Sequence, residues 1–212
     1  MEKLILNLRE RLKILSEKNK GDFLLFSGGL DTSILAYLNP NLVCVNVSLK
    51  EYGEDRNYAE ILERFLNLKV YYLKFDEKET IGAIPKVIRI LKTFDPAILN
   101  DVVVYLGLKF IKEKKGKLVL TGDGADEIFA GYSYMKEIDD LNSYIRKITK
   151  KMEFTSNKIG KFFNLEIRQP FCDKELIEFS LSIDKELKIK DGFGKWILRK
   201  SFENILPDEI VW

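Results

Sequence analysis

Residues 22–75 alternate short apolar runs with helical patterns, and that alternation leaves few architectures open. "DFLLF" (22–26) predicts a short buried strand ending at Ser27-Gly28-Gly29. "TSILAYL" (32–38) continues as a helix. "LVCVNVSL" (42–49) is rich in β-branched residues, "NYAEILERFL" (57–66) is amphipathic, and "KVYYLKF" (69–75) returns to strand character. Strand–helix–strand–helix–strand predicts parallel strands covered by helices. Residues 77–92 and 97–114 predict two helices broken at Asp95-Pro96, because the residue before proline is pushed out of helical geometry. "KLVLTGDGADE" (117–127) predicts a fourth strand running into a Gly/Asp-rich turn.

The fold class expected is α/β, a parallel sheet of about five strands with helices on both faces. Beyond Gly131-Tyr132 strand signals fade. Residues 134–164, 173–181 and 195–205 read as mostly helical. A single domain over 1–212 is therefore expected, with a soft boundary near residue 133 between an α/β core and a helical C-terminal portion.

Composition excludes several chemistries. The chain has no histidine, which removes Ser-His-Asp and Cys-His catalysis and His-ligated metals together. Cys44 and Cys172 are far apart and form no CxxC, so a reducing cytosol is the default expectation. Lys+Arg 35 against Asp+Glu 33 gives +2, which makes no whole-chain argument for nucleic acid or membrane. No apolar run approaches bilayer length. "MEKLILNLRERLKILSEKNK" interleaves charge with Leu4, Leu8, Leu12 and Leu15, and predicts an amphipathic helix rather than a signal peptide.

Two loops stand at predicted strand ends, where ligands of open parallel sheets bind. The first is Ser27-Gly28-Gly29-Leu30-Asp31-Thr32-Ser33. Its glycines allow N–H groups to converge on an anion, and the following helix aims its N-terminus there. Ser27, Thr32 and Ser33 add hydroxyls, but the Gly-Lys-Ser/Thr ending of the usual P-loop is absent. Asp31 beside phosphates calls for a cation between them, which points to Mg²⁺. The second loop, Thr121-Gly122-Asp123-Gly124-Ala125-Asp126-Glu127, carries three carboxylates. Asp31 and Asp126 are the expected Mg²⁺ ligands, as a metal-assisted reaction on a nucleotide needs. Alone, each loop also reads as an ordinary turn; together at strand ends they make the stronger case.

At these residues the sequence resembles a known family. "SGGLDTS" is similar to the pyrophosphate-binding loop of the N-type ATP pyrophosphatases. "LTGDGADEIFAGY", "RQPFCDKELIEFSL" (168–181) and "GKWILRKSFENILPDEI" (194–210) resemble, in order, signatures of the asparagine synthetase synthetase domain. The resemblance implies an adenine nucleotide alpha-hydrolase-like fold of the HUP type, with ATP and Mg²⁺ as cofactors. It implies that the bond broken joins the α- and β-phosphates. A carboxylate, aspartate in the family default, becomes an acyl-adenylate that ammonia or an amine converts to an amide.

Carried over by position, Ser27, Gly28, Gly29, Asp31, Thr32 and Ser33 would contact pyrophosphate and metal, with Gly122 and Gly124 allowing close backbone approach. Lys195 matches the family lysine at the reacting phosphate. Val47, in "VNVSL", would offer backbone to adenine; a plain core strand is the other reading. The family glutamate of an Ile-Glu-Thr-Tyr-Asp segment is matched by Lys92 in Leu91-Lys92-Thr93-Phe94-Asp95. Asp95 and Asp123 are then the candidate substitute bases. A β-lactam synthetase branch carries tyrosine at the position of Asp123, so cyclising chemistry is not expected.

The chain begins "MEKLIL" rather than with a nucleophilic cysteine. The expectation is no glutaminase domain, with nitrogen from ammonia, an amine or a separate glutaminase subunit. It stops at Trp212, shorter than the family domain, so the acceptor pocket is expected to be smaller, more open, or completed by a second subunit; a homodimer stays open. Two further readings remain at this stage. One is a modifying enzyme for tRNA, since relatives activate a base oxygen and "RKITKKMEFTSNKIGK" (146–161) is basic around Phe154. The other is a nucleotide binder without catalysis.

Overall fold

The computed structural model describes residues 1–49, 54–94 and 96–212, with the side chains of Glu54 and Asp55 outside the description. The expected alternation is present. Helix α1 (Glu2–Lys18) precedes β1 (Phe23–Leu25), α2 (Leu30–Leu38), β2 (Val43–Leu49), α3 (Glu54–Leu66) and β3 (Lys69–Phe75). Then come α4 (Glu77–Leu91), α5 (Ile98–Glu113), β4 (Leu118–Leu120) and α6 (Ala125–Phe129). The remainder holds α7 (Leu141–Thr149), α8 (Thr155–Phe162), β5 (Glu166–Arg168), α9 (Lys174–Leu181), α10 (Lys185–Lys188), α11 (Trp196–Phe202) and α12 (Asp208–Val211).

The five strands form one parallel sheet in the order β3-β2-β1-β4-β5. The fifth strand lies in a stretch whose sequence carries no strand run. Glu166-Ile167-Arg168 is short and charged at two positions, so only pairing with β4 makes it a strand: Glu166 N–H donates to Lys117 O, and Thr121 N–H to Arg168 O. The segment 134–164 is mostly helical, as expected, divided into a 3₁₀ turn (Ser133–Glu137), α7 and α8.

Contacts divide the chain into two compact units. The sheet unit comprises 20–121 and 153–168; the second comprises 1–19, 122–152 and 169–212. The division thus falls at 121/122 rather than near 133. It is discontinuous because β5, with the helix before it, belongs to the sheet.

In the sheet unit Val43, Val45, Val47 and Leu49 of β2 share a face, as a period of two requires. That face packs on Val87 and Leu91 of α4 and Val102, Leu106 and Ile111 of α5. Each fully buried Val, Leu or Ile contributes about 1.5–3 kcal/mol relative to exposure. Helix α4 begins at a reciprocal cap: Asp76 Oδ1 accepts from Glu79 N–H, and Glu79 returns a carboxylate oxygen to Asp76 N–H. In the second unit, Leu8, Leu12 and Leu15 are the buried stripe of α1, and α1 packs on α11. A smaller core gathers Ala130, Met135, Leu141, Ile145 and Leu181. No helix among the described residues is long and apolar enough to cross a membrane.

Candidate active site

The order of strands reverses direction between β1 and β4. Ligands of open α/β sheets bind beyond the carboxyl ends at such a switch point. Ser27–Ser33 follow β1 there, and Thr121 follows β4.

The first loop is organised by its own hydroxyls. Gly29 N–H donates to Ser27 Oγ at 3.1 Å, and Ser27 Oγ lies 3.1 Å from Thr32 Oγ1. Thr32 Oγ1 donates to Gly29 O, while Ser33 Oγ donates to the carbonyls of Gly28 and Gly29. Gly28 has φ +88°, left-handed backbone that suits glycine. Gly29 caps α2, so the helix opens on Leu30 with Asp31 in its first turn. These bonds fix the loop's shape at the N-terminus of α2, the end of a helix that favours an anion.

A buried amide holds the loop's entry. Phe26 N–H donates to Val45 O, and Asn46 Nδ2 donates to Phe26 O at 2.9 Å, extending the ladder one step beyond β1. Asn46 Oδ1 is buried with no hydrogen-bond partner among the described residues. Alternation in a parallel ladder turns the N–H and C=O of Val47 to the same edge as those of Val45, beyond the end of β1. Asn46 carried no signal in the sequence beyond being polar in a β-branched run.

In the second unit the Asp123–Asp126 turn and Lys195 form a cluster. Gly124 has φ +96° and precedes α6. Lys195 Nζ lies 2.8 Å from Asp126 Oδ1, with the lysine side chain only 10% exposed and the aspartate 36%. Lys195 is no ordinary surface lysine: its backbone is left-handed at φ 54°, and its N–H donates to Phe129 O. Gly131 makes room for the pair, since a Cβ there would sit 1.7 Å from Asp126 Oδ1 and 2.4 Å from Lys195 Cε.

Gln169 Nε2 donates to Asp123 Oδ2 at 2.8 Å. Its role was hidden in the "RQPF" stretch because it rests on a contact 46 residues away. Tyr132 donates its hydroxyl to Glu127 Oε1 at 2.7 Å and stacks on Tyr134 with centroids 5.6 Å apart. Burial, then the bond to Glu127, pushes the Tyr132 phenol far above its ordinary value. Burial pushes the Cys172 thiol up to about 12, helped by the charges of Asp123 and Glu127. Burial, then Glu63, pushes Cys44 up to about 12. Neither is an activated nucleophile.

The other candidate base, Asp95, lies outside the described residues; Lys92, at the position matched to the family glutamate, is an exposed left-handed cap at the end of α4. No group of three or more Cys, Asp or Glu side chains able to hold a metal occurs among the described residues. Asp31 belongs to the sheet unit and Asp126 to the second unit.

The structure is a parallel α/β sheet with a glycine-rich loop after its first strand. The chain belongs to the Asparagine synthase family, whose profile matches residues 23–164 and 146–212. It is 30% identical to an asparagine synthetase [glutamine-hydrolyzing] of Triphysaria versicolor over 217 residues, covering 89% of this chain and 37% of that protein. A probable asparagine synthetase [glutamine-hydrolyzing] of Dictyostelium discoideum is 29% identical, with 89% and 40% covered. The chain thus spans well under half the length of these curated relatives. Among solved structures, a U34-tRNA thiolase NcsA from Methanococcus maripaludis covers 96% of this chain and 73% of its own at 14% identity, with a TM-score of 0.46. That likeness is too weak to carry functional meaning.

Proposed function

We propose that this chain is an ATP-dependent, AMP-forming amide synthetase. A carboxylate oxygen of the substrate attacks the α-phosphorus of ATP. The bond to the β-phosphate breaks, pyrophosphate leaves with the bonding electrons, and an acyl-adenylate remains. The nitrogen of ammonia or an amine then attacks the acyl carbon. AMP leaves, a proton passes to a base, and an amide is formed.

The observation that carries this reading is the Ser27–Ser33 loop at the N-terminus of α2. A helix N-terminus suits an anion such as pyrophosphate, with the hydroxyls of Ser27, Thr32 and Ser33 beside it. Val47 backbone at the free strand edge suits the rim of adenine. In the second unit, Lys195 holds a buried positive charge suited to the charge that develops at the α-phosphate. Asp31 and Asp126 would hold Mg²⁺, which when bound offsets phosphate charge and stabilises the leaving pyrophosphate. Asp123, oriented by Gln169, is the base we assign for the amine proton, with Asp95 as the alternative.

Aspartate is the first carboxylate to test, with ammonia free or delivered by a glutaminase, in a cytosolic setting. A thiolating variant of the chemistry is disfavoured by the raised pKa values of both cysteines. The test is product analysis with ATP, Mg²⁺ and a panel of acidic amino acids, with and without ammonia. AMP and pyrophosphate with one acid, absent in Asp31→Ala, are expected. ADP and phosphate as products would sink the reading.

A further inference from the structure

Within the sheet unit one cavity has a character of its own. It holds about 460 Å³ and is lined by Lys86, Arg89, Ile90, Tyr105, Lys158, Lys161 and Phe162. Lys86 and Arg89 stand three residues apart on α4, and Lys158 and Lys161 three apart on α8. That spacing puts each pair on one face of its helix. Helix α8 packs against both α4 and α5, so the cavity has two basic banks. Between them lie only Ile90, Tyr105 and Phe162.

No carboxylate lines the cavity among the described residues. Lys158 is paired with Glu153, whose carboxylate is 3.1 Å from Lys158 Nζ. Packing does not require Phe162 to be where it is: it is 60% exposed, yet held edge-on by Phe163 at 5.0 Å, which in turn contacts Tyr105 at 5.3 Å. Phe162 thus offers an exposed aromatic face in a cavity lined by the cations of α4 and α8. The volume falls in the range of small-molecule sites.

We propose that this cavity binds a nucleotide, its phosphate on the Lys86/Arg89 and Lys158/Lys161 banks and its base on the face of Phe162. A single carboxylate needs one cation, whereas four cations suit phosphate. Stacking suits a base, which presents a flat π-face whatever its identity. The same chemistry comes from a free nucleotide or from one residue of a single-stranded RNA, and the experiment separates the two. The inference does not depend on the adenylation reading.

The probes are UMP, by calorimetry, and a fluorescein-labelled oligouridylate of eight residues, by polarisation. Both are measured with ATP in excess to occupy the Ser27–Ser33 loop. If RNA is the source, the oligouridylate binds and UMP does not; its log Kd rises with log salt at a slope of about 0.7 per phosphate neutralised. Replacing Lys86 and Arg89 by Glu weakens binding at least 10-fold and flattens the slope. Phe162→Ala weakens it about 5- to 100-fold and leaves the slope unchanged, since stacking carries no counterion. UMP binding with the same sensitivities assigns the site to a free nucleotide. The proposal is overturned if neither probe binds, if binding ignores both variants, or if an octaglutamate peptide competes as well as the oligouridylate. Thermal melting of each variant shows that the fold is kept. AMP and pyrophosphate formation is expected to be unchanged in both, so failure here leaves the adenylation reading standing.

Discussion

The ammonium of Lys195 and the carboxylate of Asp126 are paired at 2.8 Å across 69 residues of chain, and nothing in either local sequence announces it. The pair holds the Lys195 ammonium in a mostly desolvated place against the carboxylate proposed to bind Mg²⁺. If Lys195 acts on the reacting phosphate, Lys195→Ala lowers kcat for AMP formation about 100- to 1,000-fold, the usual cost of removing one charge-stabilising donor. Substrate KM changes much less. An equal rise in KM with kcat intact would place Lys195 in binding alone.

Gly131→Ala tests the space rather than the charge. Its Cβ would collide with both members of the pair, so the side chains must move apart. The expected result is loss of most AMP formation with about 1–3 kcal/mol of destabilisation, typical of overpacking. Full activity in a folded Gly131→Ala protein would show that the observed pairing is not needed for turnover.

Asn46→Ala removes the amide that holds Phe26 O at the mouth of the first loop. The loss is one buried hydrogen bond, about 1–2 kcal/mol of stability. Because the loop entry loosens, KM for ATP is expected to rise several-fold while KM for the carboxylate stays. A uniform fall in stability with unaltered KM for ATP would make Asn46 a core residue only.

Lys188 gives a pH signature. It is fully buried on α10, donates to Asn142 Oδ1, and burial pushes it down to about 8 from an ordinary value of 10.5, against a smaller opposite pull from Asp184. A lysine with a lowered folded pKa costs stability while both states hold the proton, below pH 8. Between about pH 8 and 10.5 the unfolded chain keeps the proton and the folded chain has lost it, so this contribution rises with pH. The stability of Lys188→Met relative to the parent should therefore shrink by up to about 3 kcal/mol between pH 7 and pH 10. Comparing the two proteins cancels the tyrosines and cysteines, whose raised pKa values act in the opposite sense. Denaturant titrations at several pH values would show it; a pH-independent difference would refute it.

Both thiols should be silent in the folded protein. A pKa of about 12 leaves roughly one thiolate in ten thousand at pH 8, against a quarter or so for a free cysteine. A chromogenic disulfide reagent should therefore react only after denaturant is added. Fast labelling of Cys172 in native protein would contradict its placement against Gly124 and the Asp123 carbonyl.

Much of the sheet was legible because its strands are apolar on both faces and its helices are periodic. Those signals are local, set by period two against period 3.6, and β1 to β4 and α1 to α5 were read within a few residues of where they stand. The Ser27–Ser33 loop was legible for the same reason: its glycine and its hydroxyls are neighbours in sequence and bond to one another. Strand β5 was not, because Glu166-Ile167-Arg168 has no pattern of its own and gains its conformation from the β4 ladder.

What the chain determined by itself was therefore the order of elements, the amphipathic stripe of α1, the absence of histidine chemistry and the glycine-and-hydroxyl make-up of the first loop. Tertiary structure alone decided that Lys195 is buried against Asp126, that Gln169 steadies Asp123, that Asn46 extends the ladder past β1, and that cations of α4 and α8 share one cavity. Each of these joins residues distant in sequence. Desolvation and hydrogen-bond geometry, which give such contacts their energy, exist only once the chain has packed.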